Sequence, residues 1–157
     1  MEKYEELLLA LRKIIRATDL YSKQLNKDAG LTAPQLLILR EISAQTGITA
    51  SAVAQNITLS PATVSNIIDR LEHRELIHRT RSTTDKRRVV LSLTTRGADL
   101  LARSPRPLQH HFIENFCALE AWEQSLLLSS MQRVARMMDA EQLDAAAVLE
   151  VGSYENH

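Results

Sequence analysis

The sequence predicts a mainly α-helical fold with one small β-hairpin, an α+β arrangement, and three observations lead there. Apolar residues recur at three- and four-residue steps along most of the 157 residues. One stretch, residues 76–93, turns β-branched and alternating instead. Four Gly, four Pro and 4% aromatic residues argue against a Gly-rich sandwich and lean toward helix.

The first 28 residues read as one helix. Leu7, Leu11, Ile14, Thr18, Tyr21 and Leu25 form its apolar stripe, and Leu8, Ile15 and Leu20 widen it. So broad a face implies burial on two sides. Three helix starts then share one grammar: the hydroxyl N-caps Thr32, Thr49 and Ser60 follow Leu31, Ile48 and Leu59 and precede Leu36, Val53 and Val64, the hydrophobic-staple spacing. Gln35 completes a capping box with Thr32, Pro61 suits a first helical position, and Gly30 and Gly47 punctuate the connections. Helices are expected over residues 33–44, 50–56 and 61–73. The strands 76–81 and 89–93 flank the polar run Ser82-Thr83-Thr84-Asp85-Lys86-Arg87-Arg88, a hairpin with a basic tip. A helix restarts at Thr94 or Thr95, runs to Arg103 and meets Pro105 and Pro107. Leu108, Phe112, Phe116 and Leu119 restore the helical spacing, and Trp122, Leu126, Leu127, Met131, Val134, Met137 and Met138 continue it. Beyond Leu149 periodicity ends, and residues 151–157 are expected to fray.

The net charge is zero, 19 Lys and Arg against 19 Asp and Glu, but the charges are segregated. Residues 60–106 hold ten basic against five acidic side chains, and residues 107–157 two against eight. A polyanion partner therefore belongs with the middle segment. There a short helix, the turn Ile57-Thr58-Leu59 and a second helix form a helix-turn-helix with a hairpin, or wing, directly behind it. The second helix turns Val64, Ile67, Ile68 and Leu71 inward. Its other face, Ala62, Thr63, Ser65, Asn66, Asp69 and Arg70, is small and polar, which suits a helix entering a major groove with Asn66 against a base edge. Arg81, Lys86, Arg87 and Arg88 place long cations on the wing, within reach of phosphates or a narrow minor groove. Asp85, two residues from Arg87, is placed to hold that guanidinium in one orientation.

The block from Gly30-Leu31-Thr32 through Leu59-Ser60-Pro61-Ala62-Thr63-Val64-Ser65 and Leu71-Glu72-His73-Arg74 to Asp85-Lys86-Arg87-Arg88 and Leu93-Thr94-Thr95-Arg96-Gly97 resembles the MarR family of bacterial transcriptional regulators. The resemblance implies a winged helix-turn-helix domain over residues 31–104, flanked by a helical dimerisation region made of 1–30 with 105–150. It implies a homodimer on a pseudo-palindromic double-stranded DNA operator, acting as a repressor that a small-molecule effector relieves from a pocket between dimer region and winged lobe. Ser60, Thr63, Ser65, Asn66 and Arg70 then lie on the recognition helix, and Asp85 and Arg87 occupy the family's Asp-x-Arg wing positions, Arg87 reaching the minor groove. One departure stands out. The family usually has Gly between recognition helix and wing strand, and here Glu75 holds that place, which leaves either a different helix end or accepted strain. The segment Ala147–Gly152 also resembles regulators of compatible-solute synthesis within the family.

Dimerisation follows from the residues as well, because the first and the C-terminal helices carry more apolar surface than one small domain covers. Two lobes related by a two-fold would meet half-sites about one turn, ~10 bp, apart.

Other functions find less support. The lone Cys117 cannot form an internal disulfide and fits a reducing, cytoplasmic compartment. The family's peroxide sensors carry their cysteine in the first helix, which has none here, so Cys117 is expected to be a buried core residue. His110 and His111 are adjacent and point about 100° apart on a helix, so no metal site is expected. Trp122, Met131, Met137 and Met138 are expected as core residues. No phosphate loop, nucleophile elbow or Cys/His dyad suggests an enzyme, and no cofactor is expected. No apolar run approaches the ~18 residues of a membrane span. A winged domain that binds protein instead of DNA is the competing reading, and retention on heparin separates the two.

Overall fold

The computed structural model describes residues 2–141 and 143. The expected frayed end and the Ala147–Gly152 segment lie outside them. Helix α1 (Lys3–Ala29) opens on a capping box in which Glu5 accepts the Glu2 N–H at 2.8 Å, and closes on Gly30 at φ 61°. Helices α2 (Ala33–Ala44), α3 (Ala50–Ile57) and α4 (Pro61–His73) start at Thr32, Thr49 and Ser60, and each hydroxyl accepts the N3 amide. The staple residues Leu31, Leu36, Ile48, Val53 and Val64 are all buried. Helix starts were therefore well encoded locally.

Strands β1 (Ile77–Arg81) and β2 (Val89–Leu93) pair antiparallel, Ile77 opposite Leu93 and Arg81 opposite Val89. The hairpin is also tied back to the helices, since the Leu91 N–H donates to the Ile48 carbonyl at 2.9 Å. Ile48 was legible only as a staple residue; its second role needs the hairpin's position. Helices α5 (Thr95–Arg103), α6 (Leu108–Cys117) and α7 (Ala121–Met137) follow. The break before α6 coincides with the two prolines. A second, after Cys117, ends at a Glu120–Glu123 capping box.

One core runs through the lobe. Leu25 and Ala29 from α1 join Leu36, Ile38, Leu39 and Ile42 from α2, Val53 and Ile57 from α3, Val64, Ile68 and Leu71 from α4, Leu76 and Ile77, Leu91, and Leu100 from α5. Neither α6 nor α7 buries any residue. In the single chain α1 buries only Thr18, Leu25 and Ala29, so the two-sided burial expected of it is not met by this chain's own helices. Trp122, Met131, Met137 and Met138, expected in a core, are exposed, Trp122 by 67%. Cys117 is exposed too, which corrects the expectation of a buried core thiol; the lobe's core ends before α6 begins. Among the described residues no helix is long and apolar enough to cross a membrane.

The Glu75 question resolves toward accepted strain. Glu75 adopts φ 58°. The Leu76 N–H donates to the Leu71 carbonyl and the Glu75 N–H to that of Glu72, so α4 ends in a full Schellman motif with buried Leu76 against buried Leu71. The geometry a glycine would give is kept, and the cost falls on the backbone of one exposed glutamate whose one ion pair among the described residues, to Arg96, spans 3.6 Å. Glu75→Gly should therefore raise stability. Relief of left-handed strain, about 1–2 kcal/mol, outweighs the added unfolded-state entropy of glycine, about 0.5–1 kcal/mol. A denaturant midpoint at or below that of the unsubstituted protein would refute this.

Candidate nucleic-acid interface

The outer face of α4 and the hairpin tip lie on the same lobe, joined by the five residues of β1. Ser60 and Thr63 are turned toward helix initiation: the Ser60 hydroxyl accepts the Thr63 N–H at 3.2 Å and lies 2.8 Å from the Thr63 hydroxyl. Ser65, Asn66 and Arg70 are exposed. Asn66, Asp69 and Arg70 open onto a groove shared with Gln35 of α2 and with His73 and Arg74. Gln35 was legible only as a capping residue, and His73 not at all as a groove residue; their nearness to Asn66 depends on how α2 crosses α4. The His73 ring fixes itself on its own helix, Nδ1 lying 2.9 Å from the Asp69 carbonyl.

The wing loop is held by its own polar groups. The Ser82 hydroxyl accepts the amides of Thr84 and Asp85, each at 3.3 Å, while the Ser82 N–H donates to the Arg88 carbonyl at 2.8 Å. The Asp85 carboxylate accepts the Arg87 backbone N–H at 3.0 Å. It thus meets Arg87 at the loop backbone, in an Asx-type turn, and does not grip the guanidinium as the spacing suggested. Arg81, Lys86, Arg87 and Arg88 are all exposed, and none of them is ion-paired among the described residues. Four cations without carboxylate partners at one hairpin end make a local field that attracts phosphate.

Arg79 behaves differently. Its guanidinium reaches from β1 to α4, Nη2 donating to Asp69 Oδ1 at 2.5 Å and Nη1 to Glu72 Oε2. The hydrogen bond that Arg79 donates to Asp69, working against burial and aided by the Glu72 charge, raises the Arg79 pKa above the ordinary value for arginine. Asp69, which lines the groove as its sequence position suggested, is at the same time engaged from the side by the wing. Sequence reasoning missed Arg79 because the contact exists only once β1 is laid along α4.

Away from this face, Tyr21 of α1 donates to the Arg106 carbonyl at 2.9 Å, and burial pushes its phenol above the usual tyrosine range. A cavity of about 250 Å³ opens there, lined by Tyr21, Arg106, Leu108, His110, His111 and Glu114. His110 lies 3.2 Å from Glu114, and the His111 ring 3.1 Å from the Asn115 amide.

A helix-turn-helix whose second helix shows a small polar face, with a cationic hairpin beside it, defines a winged helix-turn-helix DNA-binding regulator. The chain belongs to the MarR family, whose model matches residues 31–89. It is 34% identical over 110 residues to the transcriptional regulator HosA of Escherichia coli O127:H6, covering 69% of this chain and 78% of that one. It is 37% identical over 68 residues to the transcriptional repressor MdtR of Bacillus subtilis, covering 43% and 44% of the two chains. Among solved structures it resembles the PcaV transcriptional regulator of Streptomyces coelicolor in complex with its natural ligand, with a TM-score of 0.57, 25% identity, and 82% of this chain and 91% of that chain covered.

Proposed function

We propose that this MarR-family regulator is a cytoplasmic homodimeric repressor that grips a pseudo-palindromic operator with two α4 helices and two wings. The observation that carries the reading is the set of unpaired wing cations, Arg81, Lys86, Arg87 and Arg88, set beside the polar face of α4. Ser65, Asn66 and Arg70 supply base and backbone contacts in the major groove. Ser60 and Thr63 present the α4 N-terminus to a phosphate, and Asp85 orients the wing. The exposed apolar faces of α1, α6 and α7 support the dimer, in which the region 1–30 with 105–150 pairs two lobes of residues 31–104. A relative named as a repressor supports that direction of control.

Effector relief belongs to the cavity beside Tyr21. Arg106 there favours a small anionic organic molecule, with Glu114 engaged by His110, and PcaV is a relative solved with a bound ligand. Occupation would bias the spacing of the two lobes.

Selecting DNA from a random pool and measuring binding of the selected site at two salt concentrations tests the reading. Arg87→Ala should weaken binding by about 1–3 kcal/mol and lower the salt slope by about one unit if Arg87 neutralises a phosphate. In the same selection Asn66→Ala should relax sequence preference. An unselectable pool and no retention on heparin would instead mark a protein-binding module.

A further inference from the structure

The two elements that meet DNA in the reading above, α4 and the wing, are joined side chain to side chain at Arg79. Asp69 and Glu72 sit one helical turn apart on α4 and so share a flank of that helix. Arg79 sits mid-strand in β1, opposite Leu91, and its two terminal nitrogens each take one of these carboxylates. Its side chain is 31% exposed. That fork is a geometry lysine cannot reproduce, because an ammonium presents no two parallel donors at fixed separation.

The structure assigns Arg79 as a positioning residue that sets the wing against the recognition helix and masks two carboxylates that would otherwise face phosphate. The inference rests on the DNA-binding reading. Arg79 differs from its neighbours in the way this role requires: Arg81, Lys86, Arg87 and Arg88 are exposed and unpaired, while both terminal nitrogens of Arg79 are already committed to α4. It therefore has little left to offer a phosphate directly. A surface ion pair adds little to folding, so its effect should show in DNA binding more than in melting.

The test is a coupling cycle on the full chain with the selected DNA site: Arg79→Ala, Asp69→Asn with Glu72→Gln, and all three together. Arg79→Ala should weaken binding about tenfold or more. Hydroxyl-radical footprints should lose protection at the minor-groove flanks, where the wings sit, and keep it in the major groove. In the Asn/Gln background the same change should cost less than twofold, since Arg79 acts through those carboxylates. Equal losses in both backgrounds, or a footprint that fades uniformly, would overturn the assignment, as would Arg79→Ala binding within twofold of the parent. If Arg79→Ala does not melt cooperatively, Arg79→Lys replaces it, keeping the charge and losing the fork, with a several-fold loss expected. Failure of the parent protein to select any DNA would strike the DNA-binding reading itself and not the role of Arg79 within it.

Discussion

Gly97→Ala should destabilise the protein by about 3 kcal/mol, though alanine is the better helix former. Gly97 lies in the first turn of α5, buried against the backbone of Leu76, the residue before β1. A Cβ there would stand 1.9 Å from the Leu76 carbonyl oxygen and 2.9 Å from its carbon. Both are backbone atoms and cannot swing aside. The same Leu76 oxygen accepts the Thr94 N–H at 3.0 Å, and the Thr94 hydroxyl accepts the Gly97 N–H at 3.0 Å and donates to the Glu75 carbonyl at 2.7 Å. Moving α5 outward to admit a methyl would stretch this network together with the buried packing of Leu100 and Leu76. Helix propensity favours alanine by about 1 kcal/mol. Overpacking costs about 1–3 kcal/mol, and a buried carbonyl that loses its donor a further ~1–3 kcal/mol. The clash therefore wins. Thermal melting followed by circular dichroism should show a midpoint lower by about 6–12 °C. A stability within 1 kcal/mol of the parent would mean that α5 can slide along β1 freely.

The same small region shows why some of the molecule was legible in its sequence and some was not. The starts of α2, α3 and α4 were readable because a cap, a staple and a proline act within six residues of one another. Glu75 was readable as a conflict but not as an outcome. Whether a helix accepts left-handed strain depends on what lies beyond it, and here buried Leu76 closing on Leu71 outweighs the cost. Gly97 stood out only through resemblance, since its need for hydrogen in place of a side chain arises from a carbonyl 21 positions earlier. Arg79, Gln35 and the Leu91–Ile48 bond share that character, being consequences of register and crossing between separate elements. In the candidate site the residue types were legible while their partners were not: Asp85 does meet Arg87, but at the backbone amide and not at the guanidinium. The exposed thiol of Cys117 and the exposed Trp122 mark a further limit. Periodicity says that a face is apolar and leaves open whether the chain itself or another copy covers it.

A pair of charges placed on that face should separate the proposed dimer and weaken its grip on DNA. In the single chain Leu7, Leu8, Ile14 and Ile15 of α1, Phe112 and Ile113 of α6, and Trp122, Leu126, Leu127, Leu128 and Met131 of α7 are all exposed. Monomeric proteins seldom leave a contiguous apolar patch beyond a few hundred Å² uncovered. Ile15→Glu with Leu126→Glu touches neither the lobe's core nor α4 and the wing, so the lobe should still melt cooperatively. In a two-fold dimer each substitution occurs twice, and each unpaired carboxylate buried there costs several kcal/mol. Light scattering should then report a monomer at micromolar concentration. Binding to the full palindrome should fall about 10²–10⁴-fold, because the second lobe loses its high effective concentration, while binding to an isolated half-site stays within about twofold. The salt slope on the palindrome should drop toward half, in proportion to the phosphates engaged. A variant that remains dimeric would place the interface elsewhere on the chain. A monomer that held the palindrome with undiminished affinity would show that a single lobe suffices for recognition.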